Sequence, residues 1–511
     1  MKKFSLDRLL IQAAYIYISV PFIIFLAGWV RWYIAVPLCL VTGVAAFMSL
    51  QGYKNAFKTI YIKQHRKKII AVLCVVLIWV GFSGIGGFSY QTWDHNFRNA
   101  IFRDLVTNSW PVIYHVKGFG INHPLEGQTC MMSYYIGFWL PAAVVGKLFG
   151  WYAANAFLFL WAVTGILLIF YFVCRLFNVF TIRLLLLFIF WSTAYVIGLF
   201  VKYPVKTIIQ SESVLWAGNM YYADNNTGLL YWVFNQSITP WLTLMLLLNQ
   251  IPRRNIFFVL SLCFFQGPLA FLGLFPFGVY LLLKDSIATK PGSGQAIDSL
   301  KSFQNVAGAL SVLVISLLFF SSNSAAGRFV FVPRNPWIYI LFILLSFGIV
   351  AILLFQKFRK EPLFYISVIT LIPLPFFQLG YGLDFCARVS IPSMFVLMLL
   401  VMKYMIEEKT VWRKRVLIAY LCICAIMPSL QILRSMTLTG FQYLSNFNIE
   451  LKGNNPVSVK IMSKLSEARE HNLLIKDDFY TLDNPANFSI ANFMGPVSQS
   501  FFYNHLAKKT D

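Results

Sequence analysis

Charge is what this 511-residue chain has least of. Asp, Glu, Lys and Arg together make up 12% of it, against about 25% in ordinary soluble proteins. That shortage excludes a water-exposed globular fold. Acids are scarcer still, 19 against 42 basic residues, for a formal net charge of +23. The excess does not point to nucleic acid, because the Lys and Arg sit in short loops between apolar runs, the usual positive-inside bias. Zinc-type cysteine pairing is missing as well. The eight cysteines lie mostly inside apolar runs, and Cys422 and Cys424 are too close for a ligand motif, so they read as small core residues. No internal repeat of the transporter kind is present. No small-residue cleavage site separates the first two apolar runs, so a removable signal peptide is not expected.

What fills the chain is hydrophobic sequence, 59% of residues with a mean hydropathy of +0.68. Runs close to the ~20 residues needed to cross a bilayer recur from end to end. Short alternating segments, the mark of a β-barrel, do not. The expectation is an all-α, polytopic transmembrane bundle of about 13 spans, near 9–29, 32–50, 69–87, 151–173, 182–201, 229–248, 304–320, 337–355, 363–379, 389–404 and 416–430. The stretch 255–283 is read as two short helices meeting at an outward turn, because Gln266-Gly267-Pro268 breaks it. Basic residues place the N-terminus, 51–68, 284–301, 357–361 and 407–415 in the cytoplasm. The loop 88–132, residue Asn226 and a C-terminal tail, 431–511, then fall outside, with 1–430 as the membrane domain. Residues 133–150 carry Pro141 and Lys147, and are read as dipping into the outer interface, since a full crossing would invert every later loop.

Titratable groups concentrate in 88–132, which holds three of the six histidines (His95, His115, His123) with Asp94, Asp104, Glu126, Arg98 and Arg103. Trp93, Phe97, Ile101 and Leu105 recur every fourth residue, which predicts an amphipathic helix along the membrane surface. Asp94 at its start has two plain readings, a helix cap and an i,i+4 salt bridge to Arg98. The histidine spacing matches no compact zinc motif; a divalent cation held by carboxylate and diphosphate oxygens is the only metal use the residues suggest. The spans hold almost no ionisable group, which argues against ion-coupled transport.

An acidic residue just after an early outward span, then surface helices, then His123-Pro124-Leu125 and Tyr134-Tyr135, resembles the GT-C superfamily of integral-membrane glycosyltransferases over the first half of the chain. Two spans precede the acidic loop where that family usually has one, and GQTCMMS separates the two motifs. The resemblance implies transfer of a sugar from a polyprenyl phosphate or diphosphate donor to a glycan, lipid or protein acceptor, at the outer face of a bacterial cytoplasmic membrane. It implies Asp94 as general base, with Glu126 and Asp104 behind it and His95 orienting it or touching phosphate. Arg98, His123, Tyr134 and Tyr135 would line the substrate site. Cations placed outside against the positive-inside bias, Lys202, Lys206, Arg328, Arg334 and Arg388, become phosphate candidates. For Arg388 a structural pair with Asp384 weighs equally, and for Arg328 and Arg334 a solvated loop. Trp216, Tyr221, Tyr222, Tyr231 and Trp232 are read as sugar-stacking residues or an interfacial belt. The loops carrying Asp94, Arg328 and Arg388 are expected to converge on one cavity. The competing classes are a lipid-linked oligosaccharide flippase or transporter and a polysaccharide polymerase.

Overall fold

The computed structural model describes residues 6–50, 62–92, 94–116, 125–211, 214–218, 220–249, 253–288, 299–324, 329–379, 384–452 and 493–509. Among them six helices are long and apolar enough to cross a bilayer: Leu6–Trp29, Trp32–Ser49, Trp151–Phe177, Pro336–Phe358, Asp384–Glu407 and Val411–Phe441. The fold is therefore mostly helical and of the membrane type. The other apolar runs form helices that are shorter, kinked or more charged, and the expected count of about 13 spans rests on them.

The first elements are α1 (Leu6–Trp29), α2 (Trp32–Ser49), α3 (Ile62–Gly81) and α4 (Asp94–Thr107). Strands β1 (Ile113–His115) and β2 (Thr129–Met132) form an antiparallel hairpin, followed by α5 (Leu140–Phe149) and α6 (Trp151–Phe177). Ten residues of α5 rise only about 15 Å, half the ~30 Å hydrocarbon core. Both its ends meet the same layer. Ser133, ahead of it, donates its amide to Phe493 O, while Lys147 near its end donates to the Asn108 carbonyl and lies 5.0 Å over the Trp110 ring. The segment is thus tied at both ends to loop-end residues.

From there α6 runs to the opposite, basic end, where Arg175 Nε meets Asp7 Oδ1 at 3.1 Å and its Nη1 donates to Asn249 O. The run at 182–201 is split into α7 (Ile182–Ile189) and α8 (Tyr195–Lys202) around Ser192-Thr193. The short α9 (Val205–Gln210) precedes α10 (Asn226–Leu248). Asn226 is not on an outer surface as expected. It is 2% exposed, and its amide donates to Phe188 O, because the stretch before α10 folds back into the bundle.

The break after Gln266 separates α11 (Ile256–Gln266) from α12 (Pro268–Ala288), as the Gly-Pro step requires. The turn lies away from the end that carries Arg253 and Arg254, but within the bundle and not at its surface. Gln266 donates to Ile18 O, halfway along α1, and accepts from Thr239 Oγ1 at 2.9 Å, so the hairpin closes inside the bundle.

Two further corrections come from the second half. Helix Pro362–Leu371 stops early because Pro373 and Pro375 withdraw donors, and the remainder becomes β4 (Phe377–Leu379), paired with β3 (Phe329–Phe331). Helix Ile426–Lys452 runs straight through the expected boundary at 430, and its Thr439 and Tyr443 bond to Tyr90 N and Phe88 O.

Residues 493–509 return to the loop end. They add β5 (Met494–Pro496) beside β2 and insert Phe502 against Phe25 and Phe319. Arg31 then holds them through Ala507 O and Asn504 O. Gly495 is required there, since a Cβ would overlap the Ser322 carbonyl.

Candidate functional site

Helix α4 is not a surface helix. Phe97, Ile101 and Leu105 are buried as their spacing predicts, but so are Ala100, Phe102, His95, Arg98 and Asp104. The cover comes from far away in sequence. Phe493 stacks on Phe97 at 5.5 Å, and Trp151 lies 5.2 Å from Phe102. Trp93 lies outside the described residues.

Arg98 is the centre of the arrangement. Its Nη2 meets Asp94 Oδ2 at 3.0 Å, its Nε donates to Asn235 Oδ1 at 3.3 Å, and its Cζ lies 5.9 Å from the Phe234 centroid. The salt-bridge reading of Asp94 is thus realised. The two partners differ in access, with the Arg98 side chain 8% exposed and Asp94 29%. Helix α10 breaks at Val233 (φ −143°, ψ 42°), and the three residues after the break carry the contacts. Phe234 lies under Arg98, Asn235 takes its Nε, and Gln236 donates to the Tyr134 hydroxyl at 3.3 Å.

Tyr134 stacks on Tyr135 with centroids 4.5 Å apart. Burial pushes the Tyr134 phenol up to about 12; Arg98 and Arg388 pull it down, while Asp384 and Asp94 raise it. Four charges from two distant segments therefore act on one hydroxyl. Tyr135 is raised too, first by burial, then by Tyr134 and Asp384, with Arg388 opposing. Arg388 Nη2 meets Asp384 Oδ1 at 3.0 Å, Arg388 being 12% exposed and Asp384 53%. On its other side Arg388 acts on Tyr221, whose phenol is raised by burial and by Asp224.

Three buried N–H groups here have no acceptor: Arg98 Nη1, Asn235 Nδ2 and Arg388 Nε. A buried donor left unsatisfied costs about 1–3 kcal/mol. All three are donors, and two belong to guanidinium groups, so a partner for any of them would have to be an acceptor.

His95 plays a different part. Burial and the Arg98 charge lower it to about 3, against a weaker raising effect from Thr92, so it stays neutral and brings no charge to a phosphate. Its Nδ1 lies 3.0 Å from Thr92 Oγ1, and its buried Nε2 faces Gly84, where a Cβ would come within 3.1 Å.

The remaining candidates are dispersed. Asp104 is fully buried and accepts from Tyr114 OH at 2.8 Å, which ties β1 to α4. Glu126 sits in the turn that leads into β2, at the opposite end of that strand from Tyr134. Lys202 donates to Trp216 O and Arg334 Nε to Pro375 O, so each holds a turn; Lys206 is exposed. Trp216 and Tyr222 are packed inward, Trp216 bonded to Tyr195 O and Tyr222 to Leu371 O, which removes them as sugar platforms. His123 and Arg328 lie outside the described residues. Among the described residues no three His, Cys, Asp or Glu side chains gather as a metal site would.

A crevice of about 390 Å³ opens beside the site between α9, residues 83–92 and helix Ile426–Lys452. Ile208, Ile209, Trp232, Leu430 and Leu438 give it apolar walls, and Thr92, two residues before Asp94, lines one end.

Sequence reasoning missed Asn235, Gln236 and Phe234. The available signal was a pair of adjacent amides within an apolar run, a costly placement unless each finds a partner. Fold and site together define a polytopic helical membrane protein with the buried guanidinium of Arg98 and the mostly buried one of Arg388 at its loop end. No known protein family, curated protein or solved structure matches the chain.

Proposed function

We propose that the chain transfers a sugar from a polyprenyl phosphate or diphosphate to an acceptor hydroxyl at its loop end, as a GT-C-like glycosyltransferase of envelope glycan synthesis. The observation that carries this reading is the set of acceptor-less donors on Arg98, Asn235 and Arg388, next to a carboxylate open to solvent. The lipid phosphate takes those donors, and the apolar crevice by Thr92 takes the chain. Asp94 accepts the proton of the acceptor hydroxyl as that oxygen bonds to the anomeric carbon. The phosphate leaves with the electrons of the broken C–O bond, and the two guanidinium groups stabilise its charge. Tyr134 and Tyr135 offer a stacked aromatic face to the sugar. The basic end faces the cytoplasm.

The test is transfer from a labelled polyprenyl-linked sugar by membranes holding Asp94→Asn, Glu126→Gln or Asp104→Asn. Loss in Asp94→Asn alone supports the assignment. Loss only in one of the others moves the base and keeps the class. Near-normal transfer in all three gives the reading to a flippase.

A further inference from the structure

The basic end carries a second cavity, about 660 Å³, between α12 and the segment that opens helix Pro362–Leu371. It is an open groove, not an enclosed pocket. Pro276, Tyr280, Tyr365, Ile366 and Ile369 line it together with Arg359 and Lys360.

Ion pairing around it is uneven. Glu407 is taken by Lys357 at 3.5 Å and Glu361 by Lys403 at 3.0 Å. Among the described residues Arg359 and Lys360 have no ion-pair partner, and both are exposed. Pro362, the first residue of a ten-residue helix, also lines the cavity, which sets the positive end of that helix dipole beside the two cations. The wall continues into membrane-facing surface, since Ile369 is 63% and Tyr365 40% exposed. A soluble anion has no use for that apolar continuation. A phospholipid uses both halves, with its phosphate at Arg359 and Lys360 and an acyl chain along Ile366 and Ile369. Basic pockets between membrane helices hold anionic headgroups in this way.

We infer that this crevice is a binding site for an anionic phospholipid, separate from the loop-end site and independent of the function proposed for it.

The test is native mass spectrometry of the full chain in detergent micelles titrated with dioleoyl phosphatidylglycerol, with dioleoyl phosphatidylcholine and inorganic phosphate as alternatives. Phosphatidylglycerol adducts are expected on the wild type, with an affinity about thirtyfold lower in Arg359→Gln/Lys360→Gln, each cation near an anionic lipid being worth roughly fivefold. The same charge removed at the exposed Lys409 and Arg415 should leave adducts unchanged. Three results would each overturn the inference: adducts that survive Arg359→Gln/Lys360→Gln, equal loss in the Lys409→Gln/Arg415→Gln control, or full displacement by inorganic phosphate. Both pairs are exposed, and equal thermal midpoints of the two variants check that neither is misfolded.

Discussion

At the scale of single residues, Asp94 and Arg98 have to be changed separately, because their salt bridge joins a part-exposed carboxylate to a buried cation. Asp94→Asn keeps the size of the side chain but not its ability to take a proton. Transfer should fall roughly 10²–10⁴-fold, the scale of a general base, with donor binding nearly intact. Arg98→Gln should act in the ground state as well, weakening binding of the lipid donor along with the rate, since a phosphate contact exists before reaction. An equal effect of both variants on binding would remove the distinction. Asp224 makes a prediction of its own. Burial raises its carboxyl to about 7, although the Thr193 hydroxyl, 2.7 Å away, and a backbone amide work against the shift. The folded chain therefore holds this proton to about pH 7, while the unfolded chain releases it near pH ~4. Across that window the folded state binds more protons, so stability falls as pH rises and levels off above it. The apparent midpoint of thermal unfolding in detergent should drop more between pH 5 and pH 8 in the wild type than in Asp224→Asn. An identical drop in both would show that another group sets the slope.

At the scale of elements, the long-range contacts decide what the local sequence leaves open. The loop-end sheet depends on β5, and β5 depends on the bare Cα of Gly495 against Ser322. Gly495→Ala should loosen residues 493–509, and hydrogen exchange should quicken at Met494 and in β2, with the helices of the basic end unchanged. Unaltered exchange in β2 would mean that β5 is not needed to hold the hairpin. The same distinction explains what could be read from the chain. Spans at Leu6–Trp29, Trp32–Ser49 and Trp151–Phe177 were legible within a few residues, since nothing interrupts their apolar runs. The α11–α12 break was legible from Gly267-Pro268. The pairs Asp94–Arg98 and Asp384–Arg388 were legible because both are i,i+4. The kink at Val233 was not, having neither Gly nor Pro at that position. Nor was the burial of α4, whose apolar stripe is the same whether lipid, α5 or Phe493 covers it. Asn235 lies 137 residues from Arg98, and no periodicity connects them.

At the scale of the whole molecule, orientation follows from how charge is divided between the two ends. The basic end gathers Arg253, Arg254, Lys357, Arg359, Lys360, Lys403 and Arg413 with few acids, so the orientation we propose, by the positive-inside rule, turns this end to the cytoplasm. The loop end, with α4, the three-stranded sheet and residues 493–509, then faces away from it. Asn226 is buried and reports nothing by labelling, so exposed positions have to be used. In a background cleared of native cysteines, Asn504→Cys should react with an impermeant thiol reagent in intact cells. Lys409→Cys should react only after the membrane is opened. The opposite pattern would invert the chain and place Asp94 and Arg98 on the cytoplasmic side, where the proposed acceptor is not found. Labelling of both sites in intact cells would mean leaky cells, which a cytosolic marker protein with an exposed thiol reveals. The buried pair Asp7–Arg175 gives an independent handle on the same frame, because it locks α1 to α6 at the basic end. Removing one partner of a buried pair costs about 3–5 kcal/mol, for it leaves a charge without compensation. Arg175→Met should therefore lower the thermal midpoint sharply, whereas Asp7→Asn/Arg175→Met, with no charge stranded, should recover much of the loss. If the single and double variants are equally destabilised, packing rather than charge holds the two helices together, and the pair has no part in fixing the end of the bundle that the labelling assigns to the cytoplasm.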